Sequence, residues 1–187
     1  QVLDRLNTRG IKVAADKLDI YKKEVKWCGK LIDGNGVRHD PYRIKGLNDV
    51  KEPQNAGDLM SFLCALNWMR MHIPDLAKLQ QPLRSQLEVL LKGKKRTKAR
   101  AFKIPIVFNY DERKAWQAIK HALKHTVALA HPDPKQHTCV FTDASEHHYG
   151  VMITQVPQKD YDSDKHIADM CHQPLAFLSG QFKASQL

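Results

Sequence analysis

The stretch that most restricts what this chain can become is QNAGDLMSFLCALNWMRMHIPDLAKLQQPL, residues 54–83. Residues 57–73 read as one helix with a signal at each end. Asn55 is a natural N-cap with Asp58 three residues on, a short-armed capping box. Pro74 closes the run, because a proline disfavours helical geometry in the residue before it. Leu59, Phe62, Leu63, Leu66 and Ile73 recur at the three- and four-residue steps of a core-facing stripe. Met60, Cys64, Trp68 and Met71 make a second stripe on another face, with Asn67 and Arg70 as the polar break. A surface helix needs only one apolar face. The second is either buried in a helical core or meets a partner, such as a nucleic-acid groove, and the pattern allows both.

Charge bears on that choice. The 187 residues carry a net charge of +10, unevenly spread. Residues 1–105 hold 22 Lys/Arg against 11 Asp/Glu, whereas residues 106–187 hold 8 against 9. The positive excess lies with the doubly apolar helix, which suggests a polyanion partner for the first half, although a solvated basic surface gives the same count. The length suffices for one good core or two small domains. No apolar run approaches the roughly 18 residues of a membrane span, so no membrane partner is expected. The opening QVLDRLNTRG has no signal-peptide pattern and reads as cut from something longer. Cys28, Cys64, Cys139 and Cys171 form no CxxC pair, so reduced, buried thiols in an intracellular protein are expected.

Along the chain, Val2, Leu3 and Leu6 belong to a helix end stopped at Gly10, and Ile11 and Val13 alternate with polar residues as a short strand. Residues 25–32 and 37–39 flank Asp33, Gly34, Asn35 and Gly36, a strong hairpin signal. Asp40 caps a short helix over 41–50 with Pro41 at its first position. After the main helix come two helical pieces, 75–79 and 82–91. The run KGKKRTKARAFK, residues 92–103, has seven basic residues and no acid, and reads as a solvated linker able to touch phosphates. Asp111 caps a helix over 112–125 with Ala115, Trp116, Ile119, Ala122 and Leu123 inward. His121 and His125 lie four apart, but no third ligand is near enough in sequence for zinc. Strand-like runs follow at 138–142, 150–155 and 174–179, the last two separated by a polar insertion expected to be mobile.

The run FLCALNWMRMHIPDLAKLQQPL resembles the thumb helices of retroelement reverse transcriptases, and those of gypsy-class LTR retrotransposons in particular. The matching positions are Ser61, Phe62, Leu63, Asn67, Ile73, Pro74, Pro82, Leu83, Leu90 and Leu91. LNTRGIKVAADKLDIYKKEVKWCGKLIDGNGVRHDP resembles the end of the polymerase palm, through Gly10, Lys17, Val25, Gly29, Gly36, Asp40 and Pro41. VALAHPDPKQHTCVFTDASEHHYGVMITQ, then QPLAFLSGQF, resembles the opening of the RNase H domain, through Thr142, Asp143, Ala144, Ser145, Gly150 and Gln155.

This resemblance implies an α+β chain in four parts. These are a palm edge with a primer-grip-like β-hairpin (1–39), a small helical thumb bundle (40–91), a basic linker (92–105), and a partial RNase H-like domain of one helix and a three-stranded antiparallel sheet (106–187). It implies an RNA–DNA or DNA primer–template duplex as partner. The expected contacts are Trp27, Cys28, Gly29 and Lys30 on the hairpin, Cys64, Asn67, Trp68 and Arg70 on the thumb helix, and Lys94, Lys95 and Arg96 in the linker. Cys64 stands where the family has a groove-facing glycine.

On the same resemblance RNase H cleavage needs two metal ions held by several carboxylates. Only Asp143 maps onto that set, so the magnesium of a full-length parent has an incomplete site here, and no YxDD polymerase motif occurs. The expectation is a piece of a retrotransposon polyprotein that positions duplex without a complete catalytic site. Its further partners would be the rest of the polyprotein or a second copy. Its setting would be cytoplasmic, nuclear or, for the parent, a virus-like particle. The alternative is a domesticated fragment serving as a protein-interaction module, with the methionine stripe as contact. A nuclease built from the histidines and Asp143 finds no recognised ligand spacing.

Overall fold

The computed structural model describes residues 1–93, 97–162 and 164–182. It is α+β. Helix α1 (Val2–Thr8) stops at Gly10, whose φ of +67° needs a glycine. The strand expected at Ile11 and Val13 does not form. Both side chains are exposed and no neighbouring strand pairs with them, so local alternation lacks the ladder that would make it a strand.

Three short strands follow as a meander: β1 (Glu24–Trp27), β2 (Lys30–Asp33) and β3 (Gly36–His39). The stretch expected as one strand over 25–32 is therefore two, folded back at Cys28 and Gly29. With Trp27 paired to Lys30, the loop is two residues long, and both take positive φ, +50° and +75°. That is what a primed hairpin turn demands, and Cys-Gly is not the Asn-Gly or Asp-Gly that announces one. The second turn, at Gly34 and Asn35, is held by Asp33, whose carboxylate accepts from the backbone of Asn35 and Gly36.

Helix α2 (Pro41–Asp49) starts as expected, with the Asp40 carboxylate accepting from the Tyr42 N–H at 3.0 Å. Helix α3 (Ala56–Asn67) is capped by Asn55, and its last part relaxes into a 3₁₀ turn over Arg70–His72. Its first stripe, Leu59, Phe62, Leu63, Leu66 and Ile73, is buried as the spacing requires. The second stripe divides. Met60 packs with Leu91 and Ala101, whereas Cys64, Trp68 and Met71 are exposed.

The two pieces expected on either side of Pro82 are one helix, α4 (Leu76–Leu91). Leu76, Leu83 and Leu91 are buried along it, and that packing outweighs the hydrogen bond Pro82 cannot donate. Part of the expected basic linker is a short helix, α5 (Lys98–Ala101), with Ala101 fully buried, while Ile104 and Ile106 hydrogen-bond along the entrance to α3. Helix α6 (Tyr110–Lys124) is capped by Asn109, not Asp111, in a reciprocal capping box with Glu112.

The core is shared across the chain. Leu59, Phe62, Leu66 and Leu83 meet Phe108, Trp116, Ile119 and Leu123 in a single cluster, with the Phe62 and Trp116 rings 4.4 Å apart. The helix that opens the last part thus packs into the bundle of α2, α3 and α4. A second sheet, β4 (His137–Ala144), β5 (His148–Val156) and β6 (Gln173–Gln181), is antiparallel in that order. The insertion between β5 and β6 carries two 3₁₀ turns and is pinned to the sheet. Tyr161 stacks on His137 at 3.8 Å, and His172 joins the buried Thr154 hydroxyl at 2.8 Å to the Ile167 carbonyl at 2.6 Å.

Residues 127–133 tie the parts together. The N–H of Val127 donates to the His72 carbonyl, and Leu129 pairs with Val37 in both directions, at 2.8 and 2.9 Å. The Ala130 N–H donates to Pro174 on β6, the His131 ring reaches the Asp33 carbonyl, and the Asp133 N–H donates to the side chain of the buried Gln155.

Candidate nucleic-acid interface

The turn between β1 and β2 projects toward the end of α3, and the two enclose a cleft of about 450 Å³. Its walls are Trp27, Cys28 and Lys30 from the hairpin, and Asn67, Trp68, Arg70 and Met71 from the helix end. Six of these are expected contact residues, drawn from positions some 40 apart in sequence. Local chemistry explains the convergence. The primed turn presents Trp27 and Lys30 side by side at the mouth, and Trp68 caps α3 just where the helix unwinds.

Trp27 and Trp68 are 63% and 60% exposed, so each indole offers a face to a partner. Lys30 and Arg70 have no carboxylate partner among the described residues; Arg70 is exposed, whereas Lys30 is half-buried and its charge also bears on the neighbouring His39. Cys64 is exposed one turn before Trp68 but does not line the cleft, and Gly29 is the second residue of the turn itself, facing Arg43 and not the cleft. Lys94, Lys95 and Arg96 lie outside the described residues.

One contributor was missed from sequence. Arg43 rises from the first turn of α2 and sets its guanidinium 5.7 Å from the Trp68 ring centre and 3.5 Å from the Cys28 carbonyl. A β-carbon on Gly29 would fall 2.3 Å from its terminal nitrogen. Nothing in a local pattern links positions 29, 43 and 68. The same corner is braced by Lys26, which pairs with Asp40, and by the Asp40 N–H, which donates to the Gly29 carbonyl. The Lys26 ammonium and the Tyr42 N–H hold the Asp40 carboxyl below its ordinary pKa.

A second recess, of about 310 Å³, shares Asn67 and Arg70 with the first. It continues past Gln80, Gln81 and Arg84 on α4 to Ser179 and Gln181 at the end of β6. The two recesses meet at Asn67 and Arg70, the first lined largely by apolar side chains and the second by polar ones.

Asp143 lies elsewhere, near the end of β4, in a recess of about 240 Å³ that also holds Asp75, Phe141, Met152 and Phe177. Among the described residues no group of three or more His, Cys, Asp or Glu side chains is placed to hold a metal ion. Two carboxylates fall short of the hard-oxygen set that magnesium takes, so the donors described here do not fit a metal pair. His121 and His125 stack on the surface of α6 at 4.3 Å. No helix of the described residues is long and apolar enough to cross a membrane.

Residues 108–187 match the family described as an RNase H-like domain found in reverse transcriptase. The chain is similar to the retrovirus-related Pol polyprotein from transposon gypsy of Drosophila melanogaster, 29% identical over 157 residues, 82% of this chain and 15% of the relative. It is 25% identical to the corresponding polyprotein from transposon opus of the same organism, over 84% of this chain and 16% of the relative. The chain thus spans about a sixth of the length of these relatives. In fold it resembles the foamy viral protease-reverse transcriptase. The structure solved with double-stranded DNA matches at a TM-score of 0.70 and 20% identity, over 98% of this chain and 28% of that one. The structure solved with an RNA/DNA hybrid matches at 0.66 and 19%, over 91% and 20%.

Proposed function

We propose that this chain, similar to gypsy-class retrotransposon polyproteins and matching an RNase H-like reverse-transcriptase domain over residues 108–187, is a reverse-transcriptase segment that positions a primer–template duplex by sequence-independent contacts in the cleft between the hairpin and α3. The observation that carries this reading is the convergence of Trp27, Lys30, Asn67, Trp68 and Arg70 on one open wall. The indoles offer flat apolar faces to sugars and bases, and the unpaired cations meet phosphates; neither contact depends on base identity. The foamy viral enzyme, solved with both kinds of duplex, supports the choice of partner. In this reading the chain belongs to an RNA-directed DNA polymerase with RNase H activity. Magnesium belongs to that larger enzyme, and Asp143 is the one carboxylate this chain contributes to the RNase H set.

The test is binding of a labelled RNA–DNA hybrid across a salt series, wild type beside Trp68→Ala. Affinity should fall steeply with salt, and Trp68→Ala should cost about 1–3 kcal/mol. An absence of binding at low salt overturns the proposal. It would favour a protein-interaction module, for which the exposed Trp27, Trp68 and Met71 are the apolar surface.

A further inference from the structure

We infer that Arg43 is the positioning residue of this cleft: it braces the turn at Cys28 and Gly29 and holds the Trp68 ring in the orientation a duplex meets. The inference rests on the duplex-holding reading for its purpose, but the geometry stands on its own. The guanidinium occupies the space that glycine at position 29 leaves open, with Nη1 at 2.3 Å and Cδ at 3.1 Å from where a β-carbon would be. From there it faces the Cys28 carbonyl on one side and the Trp68 ring on the other. No carboxylate neutralises it among the described residues, so its charge serves these two contacts. Trp68 needs such a neighbour. It sits at the C-cap of α3, mostly exposed, where the helix no longer restrains its side chain.

The physical gain is preorganisation. A free indole must surrender its rotamer freedom when it meets a ligand, whereas one already in contact with a neighbouring cation has surrendered part of it beforehand. Arginine suits the task better than lysine, because a planar guanidinium stacks on a ring and donates sideways at the same time. Gly29 follows from the same arrangement. Its φ of +75° already favours glycine, and any side chain would also evict Arg43.

The experiment has two arms, the first of which needs no duplex. In a Trp27→Phe background Trp68 is the one exposed tryptophan, since Trp116 is buried. Arg43→Gln should then raise acrylamide quenching about twofold and shift emission to the red, with Gly29→Ala moving both in the same direction. The second arm measures hybrid binding in the otherwise wild-type chain. Arg43→Gln should weaken it about 5–20-fold, and Arg43→Lys should recover only part of that despite keeping the charge. Combining Arg43→Gln with Trp68→Ala should cost less than the product of the single losses. Unchanged quenching, full rescue by lysine or multiplying losses would each overturn the inference. If the wild type binds no duplex, the proposed function fails while the quenching arm still decides whether Arg43 orders Trp68. Circular dichroism and thermal midpoints of each variant separate these outcomes from unfolding.

Discussion

His39 and His72 face one another inside the protein with ring centres 4.2 Å apart, where β3 ends and α3 gives way to its 3₁₀ turn. Both are nearly or fully buried, and only the His72 Nδ1 finds a partner, the Val127 carbonyl at 2.8 Å. The other three ring nitrogens have none among the described residues. Burial pushes the His39 pKa down to about 4, helped by the neighbouring His72 and by the cations Lys30 and Arg43. Burial lowers His72 too, against the pull of the Val127 carbonyl.

Acid should therefore destabilise the fold at this junction. The folded state refuses protons that the unfolded chain accepts from about pH 6.5 downward, so stability is full above that value and falls as pH drops toward 4. His39 alone accounts for up to about 3 kcal/mol across that window. Urea midpoints at pH 7.5, 6 and 5 should decline in order. His39→Phe should flatten the decline; a midpoint equally pH-dependent in that variant would remove His39 from the account.

Relieving the first hairpin turn should stabilise the protein. Cys28 holds φ at +50° without being glycine, asparagine or aspartate. Cys28→Asn supplies the residue a primed turn prefers and should raise stability by about 0.5–1 kcal/mol, read from thermal or urea midpoints. A loss instead would mean that the thiol makes a contact worth more than the strain.

Lys120 closes the C-terminal end of α2. Its ammonium donates to the carbonyls of Leu47, Asn48 and Val50 at 2.7–2.8 Å and lies 4.7 Å from the Trp116 ring centre. Lys120→Met keeps the stem but orphans those acceptors, at a cost of about 2–3 kcal/mol. Lys45→Met on the same helix removes only an exposed pair with Asp49 and should barely move the midpoint.

Gly36→Ala should be the most damaging small substitution. The new β-carbon would fall 2.1 Å from the Leu129 carbonyl oxygen, at a φ of +149° that side chains rarely adopt. The paired hydrogen bonds between Val37 and Leu129 would break, costing about 3 kcal/mol or more. Amide exchange at those two positions, compared with that at Leu123, should show whether the damage begins there.

What could be read from the sequence was what local chemistry decides. The caps at Asp40 and Asn55, the buried stripe from Leu59 to Ile73 and the three strands of the second sheet all follow from spacing and turn residues. Helix α4 runs on through Pro82 because distant leucines reward its continuity, which no window around residue 82 reveals. The turn at Cys28 and Gly29 escaped because its first residue is one that turns seldom use. For the cleft, family resemblance supplied Trp27, Lys30, Asn67, Trp68 and Arg70. Arg43 came only from three-dimensional proximity to Gly29 and Trp68.

The bridging segment at 127–133 also limits how such a chain can be recombined. A crossover between related sequences at the basic run would separate α6 from the helices that share its core. It would also part Val127, Leu129 and His131 from His72, Val37 and Asp33. Hybrids joined there would inherit mismatched halves of one interior. Hybrids joined after Asp133 would carry the helical core and its hairpin intact, and would have to match the sheet-side contacts at Gln155 and Pro174, on α4, at Asp75 and at the turn over Arg70–His72.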